Sequence, residues 1–314
     1  VTILSTIYGS VVSARNQLYD RRVFRTRHLH GAVISVGNLS VGGSGKTPFV
    51  MLLGEMLKSR GVAFDVLSRG YGRKTRGVLL VDPGGASSEF GDEPLLIARR
   101  LEAPVIVGGD RYQAGIFAES KFGPRLHLLD DGFQHRMLAR DFDIVLVNAD
   151  DARDRLLPAG RLRESQQSLR RADAVVLTSG ASAEGFPLDG KLIWRVRRGI
   201  VPAKVPARPV AFCGIARPQS FLLQLRTAGI EPAAEAVYRD HHAYTESDVR
   251  ELIALKARSE AGGFVTTEKD AINLGGFISA LEPMSVVPVK MDLLDAANAV
   301  DTMLRIVRER KNPA

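Results

Sequence analysis

Val41-Gly42-Gly43-Ser44-Gly45-Lys46-Thr47-Pro48 follows a short apolar run, Ala32-Val33-Ile34-Ser35-Val36, and precedes an apolar-periodic segment from Phe49 to Leu57. The pattern predicts strand, glycine-rich loop, helix. Small residues let backbone N–H groups turn inward around an anion, and the helix start adds partial positive charge. Gly42, Gly43, Ser44, Gly45, Lys46 and Thr47 are therefore the expected nucleotide cradle. Lys46 would reach the β- and γ-phosphates, and the Thr47 hydroxyl would hold Mg²⁺. The general phosphate-loop pattern has glycine five residues before Gly45; this chain has Ser40 there.

The 314 residues suffice for two domains. The net charge of +8 suggests an acidic partner: nucleic acid, an anionic membrane or a phosphorylated substrate. Aromatic content is only 6%, and the arginines are dispersed rather than striped between aromatics, which argues against nucleic acid. A single cysteine, Cys213, excludes an intramolecular disulfide and a cysteine-rich metal site. That also counts against a metallochaperone, which shares this type of phosphate loop. No apolar run reaches about 18 residues, the length a spanning helix needs. The first residues lack a basic-then-apolar leader layout, so a cytosolic location is expected. Residues 1–19 carry a helical stripe: Val1, Ile3, Leu4, Ile7, Val11 and Val12 lead to Arg15, Arg21 and Arg22. That stripe suits either a membrane interface or a core contact.

Downstream, 63–67 reads as a strand leaving into the basic loop Ser68-Arg69-Gly70-Tyr71-Gly72-Arg73-Lys74. In an open α/β sheet such a loop lies on the ligand side, as does Arg111 after the strand 103–107. Asp92, in Gly91-Asp92-Glu93-Pro94, reads as a helix cap. Residues 125–129 form an apolar strand ending in Asp130-Asp131-Gly132. This is how nucleotide-binding sheets bring a carboxylate to Mg²⁺. Either aspartate can touch metal, the other bracing Lys46 or the metal shell. Strands at 142–147 and 172–177 complete a doubly wound, mostly parallel sheet. Residues 191–198 and 205–209, with Gly199 and Pro202 between, read as a two-stranded linker with Trp194 at a joint. The βα pattern restarts at Val210. The expected division is 1–190, a linker at 191–208, and a smaller α/β domain at 209–314. Val286-Val287-Pro288-Val289-Lys290 reads as one last strand.

Taken together, these motifs resemble a known family. Gly37-Asn38, the phosphate loop, Ser68-Arg69-Gly70-Tyr71-Gly72, Gly91-Asp92-Glu93-Pro94 and Leu129-Asp130-Asp131-Gly132-Phe133-Gln134-His135 are similar in order and spacing to the tetraacyldisaccharide 4′-kinases. Gly160-Arg161-Leu162-Arg163-Glu164, Asp240-His241-His242 and Thr267-Glu268-Lys269-Asp270-Ala271 extend the likeness. The resemblance implies a P-loop NTPase-type domain joined by a β-ribbon to a smaller α/β domain. It implies transfer of the ATP γ-phosphoryl group, with Mg²⁺, to the 4′-hydroxyl of a lipid disaccharide 1-phosphate. It further implies a peripheral protein, expected to be a monomer, on the cytoplasmic face of the bacterial inner membrane. Asp92 takes the position of the catalytic carboxylate, and His241, more than His242, that of its partner. Lys46 and Asp131 join them as catalytic residues. Arg69, Tyr71, Arg111, Arg163 and Glu164 are the expected lipid head-group contacts, and the family tolerates a hydroxyl residue at the Ser40 position.

Overall fold

The computed structural model describes residues 2–178, 180–201 and 204–311. Val1 and Pro202, named above, lie outside the described residues. The chain opens with α1 (Thr2–Asp20), β1 (Val33–Asn38), α2 (Lys46–Ser59), β2 (Phe64–Ser68) and β3 (Leu79–Leu80). There follow α3 (Ser87–Phe90), α4 (Asp92–Leu101), β4 (Val105–Val107), α5 (Arg111–Phe122), β5 (Leu126–Asp130), β6 (Phe142–Val147), β7 (Ala174–Leu177) and β8 (Leu192–Ile200). The second half carries β9 (Val210–Cys213), α6 (Pro218–Thr227), β10 (Ala234–Val237), α7 (Glu246–Arg258), β11 (Phe264–Thr267), α8 (Glu268–Leu274), β12 (Met284–Val287), β13 (Val289–Leu293) and α9 (Ala296–Lys311).

Two sheets result. The large one has the order β13-β8-β7-β6-β1-β5-β2-β4-β3, the smaller one β10-β9-β11-β12. β1 lies between parallel β5 and β6, and every residue along it is buried. A strand covered on both faces reads as a continuous apolar run rather than an alternating one. The order jumps across β1, between β6 and β5, which is where an open α/β sheet leaves a crevice at its strand ends. α2 starts in that crevice and buries Phe49, Val50, Leu53 and Leu57 against the sheet.

Four expectations are corrected here. β8 does not pair with 205–209; its partners are β7, in parallel, and β13, antiparallel. The segment read as one last strand is two. β12 belongs to the smaller sheet and β13 to the large one. Pro288 lies between them and has no N–H to continue a ladder. The smaller unit was read to residue 314, but α9 returns to the large core. Val300, Met303, Leu304 and Val307 pack in one cluster with Ile34, Phe142 and Trp194. Trp194 stacks on Phe142 at 6.1 Å, so it belongs to that core rather than to a linker joint.

α1 lies outside all of this. Ile3, Leu4, Ile7 and Val11 are exposed. Its other face is tied down by polar contacts: the Tyr8 hydroxyl donates to Arg163 O at 3.0 Å, and Asn16 Nδ2 to Glu164 Oε2 at 2.7 Å.

Candidate active site

The loop before α2 turns through left-handed backbone at Gly42, Gly43 and Gly45, with φ of 78°, 47° and 85°. Side chains disfavour that region, so glycine is needed there. Ser40 is not left-handed, so a residue with a side chain is tolerated where the general pattern has glycine. Lys46, in the first turn of α2, donates from Nζ to Asn38 Oδ1 at 3.0 Å and lies 3.5 Å from Asp131 Oδ1.

Asp130 ends β5, and Asp131 follows it with φ of 53°. This left-handed turn sends the two carboxylates to different partners. Asp131 accepts from Arg163 Nη1 through both of its oxygens, at 3.0 and 2.9 Å. Burial pushes its pKa up, but the Lys46 and Arg163 charges outweigh this and hold it below the ordinary carboxylate range. Asp130 accepts from Ser68 Oγ at 3.1 Å through Oδ2, while its buried Oδ1 has no hydrogen-bond partner. Burial, then the Glu93 and Asp131 charges, push its pKa up to about 7 against the pull of Lys46. A bare, crowded carboxylate oxygen and the Thr47 hydroxyl, on residues lining one cavity, are a donor set that fits a hard divalent cation. Among the described residues no group of three or more His, Cys, Asp or Glu could hold a metal by itself. This accords with Mg²⁺, which usually takes one or two carboxylates plus water and phosphate oxygens.

Asp92 is the other carboxylate of interest. Gly91, with φ of 91°, occupies the cap position, so Asp92 is the first helical residue rather than the expected cap. A Cβ on Gly91 would come within 2.8 Å of Tyr71 O, so the close approach of the two loops also requires glycine there. The Asp92 carboxylate is 4% exposed and accepts from Glu93 N at 2.9 Å, from His241 Nδ1 at 2.8 and 2.9 Å, and from Asn273 Nδ2 at 3.1 Å. Burial pushes its pKa up. Its bond to His241, the Lys269 charge and the Asn273 bond together bring it below the ordinary value. Burial lowers the His241 pKa, and the Asp92 bond and charge more than reverse this. His242 instead bonds Asp248 through Nε2 at 3.1 Å and stacks on Tyr238. Of the adjacent pair, only His241 reaches Asp92.

His241 lines one cavity of about 670 Å³ together with Gly42, Gly43, Gly45, Lys46, Thr47, Tyr71, Glu93 and Lys269, and Asp92 lies behind it, bonded to that imidazole. Arg69, Asp130, Asp131 and Arg163 also line it. The Tyr71 ring lies 5.1 Å from that of His241. Two expected head-group residues stand apart. The Arg111 guanidinium is buried and donates to Gly108 O and Gly109 O. Glu164, 1% exposed, faces Asn16 of α1 and Arg171.

Three residues that sequence reasoning left without a role are part of the site. Lys269 and Asn273 lie four apart on α8, a spacing that puts both on one helix face. Both turn to Asp92, at 3.8 and 3.1 Å. Arg217, in the loop after β9, lies over the phosphate loop: a Cβ on Gly43 would meet its Cγ at 2.8 Å. Lys269 and Arg217 each follow a parallel strand of the smaller sheet. The rule that ligands gather at carboxyl ends of strands would have found them.

The family profile described as tetraacyldisaccharide-1-P 4′-kinase matches residues 1–308. The tetraacyldisaccharide 4′-kinase of Koribacter versatilis is 50% identical over 98% of this chain and 99% of its own length. That of Geobacter metallireducens is 37% identical over 97% of each. Among solved structures, LpxK from Aquifex aeolicus in complex with ATP superposes with a TM-score of 0.80 at 36% identity, covering 98% of both chains. On this combined sequence and structural likeness, the chain belongs to the tetraacyldisaccharide 4′-kinase family.

Proposed function

We propose that this 4′-kinase of lipid A biosynthesis uses Asp92, oriented by His241, as the base that receives the proton of the sugar 4′-hydroxyl. ATP is the phosphoryl donor, in keeping with the family and with the ATP complex of the Aquifex aeolicus relative. The 4′-oxygen attacks the γ-phosphorus, the bond to the β,γ-bridging oxygen breaks, ADP leaves, and Asp92 takes the hydroxyl proton. Phosphoryl transfer asks the protein mainly for positioning and charge neutralisation. Lys46 supplies positive charge at the β- and γ-phosphates, and the backbone N–H groups of 42–47 cradle them. Thr47, Asp130 and Asp131 would hold Mg²⁺, which neutralises developing charge on the phosphate oxygens when bound. Arg163 keeps Asp131 turned toward Lys46. Arg69, which lines the cavity, and Tyr71, beside His241, suit the phosphorylated head group.

The observation that carries this reading is the buried Asp92 carboxylate bonded to His241, which lines the same cavity as the phosphate loop. The substrate's acyl chains remain in a bilayer, so the enzyme must work at its surface. The outward stripe of α1, with Ile3, Leu4, Ile7 and Val11, is the surface that would lie in the headgroup region of the cytoplasmic leaflet. No helix among the described residues is long and apolar enough to cross a membrane. Incubation with ATP, Mg²⁺ and the disaccharide 1-phosphate lipid, followed by mass spectrometry, tests the assignment. A product one phosphoryl group heavier, lost in Asp92→Ala with ATP binding retained, is the expected result. Turnover by Asp92→Ala at the wild-type rate would remove that carboxylate from the chemistry.

A further inference from the structure

The dyad has a third member. Lys269 Nζ lies 3.1 Å from His241 Nε2, the ring nitrogen that does not face Asp92. It also lies 3.2 Å from Asp240, 3.5 Å from Glu93 and 3.8 Å from Asp92. We propose that Lys269 is a positioning residue that locks His241 in the tautomer carrying its proton on Nδ1. This rests on Asp92 and His241 acting as the catalytic pair.

An ammonium group has three donors and no acceptor. Its neighbour at 3.1 Å must therefore present a lone pair, which leaves Nδ1 as the protonated nitrogen. That N–H donates to the Asp92 carboxylate. The alternative, a neutral amine accepting from Nε2–H, conflicts with the surroundings. Burial alone would favour the amine, but the Glu93, Asp92 and Asp240 carboxylates overcome it and keep Lys269 charged. The groups facing His241 are thus Asp92 from α4, Lys269 from α8, Asp240 from its own loop and the Tyr71 ring. The histidine backbone is fixed as well. His241 has φ of 58° and donates from its N–H to Gly214 O at 3.1 Å.

The lock has a chemical consequence. Imidazolium would place Nε2–H against the Lys269 ammonium, donor to donor and charge to charge. Lys269 thus opposes the protonation that Asp92 promotes. The proton arriving from the sugar hydroxyl stays on Asp92, while His241 keeps that carboxylate oriented.

The test reads the ring nitrogens directly. In the resting wild-type enzyme at neutral pH, ¹⁵N NMR of labelled histidine should show His241 with Nε2 unprotonated and Nδ1 protonated. A proton on Nε2 would overturn the proposal without any variant. In Lys269→Met, part of the His241 population should gain a proton at Nε2. The acid limb of kcat should move to higher pH by about one unit, as expected when a neighbouring cation is removed. kcat at neutral pH should fall about tenfold or more with KM for ATP within about twofold, the signature of lost transition-state positioning. Lys269→Arg should restore the ¹⁵N pattern and the acid limb. A Lys269→Met enzyme that loses activity with both unchanged would make Lys269 merely structural. The NMR result does not depend on turnover. If Asp92→Ala proved active while Lys269→Met still shifted the His241 nitrogens, the dyad reading would fall and the lock would stand.

Discussion

Replacing Asp92 by asparagine tests the chemistry with little change of shape. The carboxylate is almost fully enclosed and takes bonds from Glu93 N, His241 Nδ1 and Asn273 Nδ2. Asparagine keeps one acceptor oxygen, which Glu93 N can still use. Its amide NH₂ meets a donor whichever way it is turned toward His241 and Asn273, so at least one buried bond is lost. A lost buried bond of this kind costs about 1–3 kcal/mol of stability. The kinetic loss is larger. General-base catalysis contributes about 10²- to 10⁴-fold, or about 3–5 kcal/mol of barrier, and an amide cannot supply it. Lys46, Thr47 and the glycine backbone are untouched, so ATP affinity should stay within about twofold. The assay is single-turnover 4′-phosphorylation at saturating ATP and lipid, beside a direct ATP-binding titration. His241→Ala alone should lose less than Asp92→Ala. The double variant should lose no more than Asp92→Ala, because residues acting as a unit are non-additive. A rate for Asp92→Asn within tenfold of wild type, or two strictly additive losses, would refute the dyad.

Three further outcomes are expected. Lys46→Ala removes the cation between Asn38 and Asp131 and should cut phosphoryl transfer at least about a hundredfold while weakening ATP binding, read by titration and turnover. Ile7→Asp with Val11→Asp should leave thermal stability unchanged, because both side chains are more than half exposed. Each buried apolar side chain is worth about 1.5–3 kcal/mol, so the pair should lower partitioning onto anionic vesicles at least about tenfold, measured by sedimentation. The third outcome concerns His127, buried between Asp65 at 2.7 Å and Glu119 at 3.3 Å. Burial lowers its pKa, but those carboxylates carry it above the ordinary 6.5. A raised folded-state value means stability that is whole below pH 6.5 and drains as pH rises through the folded pKa. His127→Gln should therefore lower Tm most in mild acid, with the gap from wild type closing toward alkaline pH in a thermal series.

What the sequence made legible was local. The phosphate loop, the strand ending in Asp130-Asp131 and the apolar runs of the large sheet are each encoded by residues near one another. Asp92 was legible only through the family likeness, because an aspartate at a helix start reads as a cap. In the structure Gly91 holds the cap position, which frees the carboxylate for His241. The pairing of β8 with β13 escaped because its partners are about ninety residues apart, and the prolines near 205–209 imitate an edge strand nearby. Pro288 carried a readable signal, since a proline inside an apolar run argues against one continuous strand. Lys269 was visible as part of a motif, but its task depends on α8 meeting α4, and nothing local encodes that contact.

The same dependence explains why the site is built from two sheets. Asp92 and the phosphate loop are held by the large one; His241, Lys269 and Asn273 by the smaller. One loop of the smaller sheet reaches both halves of the chemistry. Gly214 O holds the His241 N–H, while Ala216 and Arg217, two and three residues on, lie over Gly42 and Gly43. Asp270 fixes that loop from behind, accepting from Gly214 N and the Tyr244 hydroxyl. Each such bond is worth only about 0.5–1.5 kcal/mol net, yet displacing the loop would break several at once. Where this loop sits over Gly42 and Gly43 therefore also fixes where the imidazole meets Asp92. Docking of the smaller sheet over the phosphate loop therefore brings His241 onto Asp92 and Arg217 onto Gly43 together.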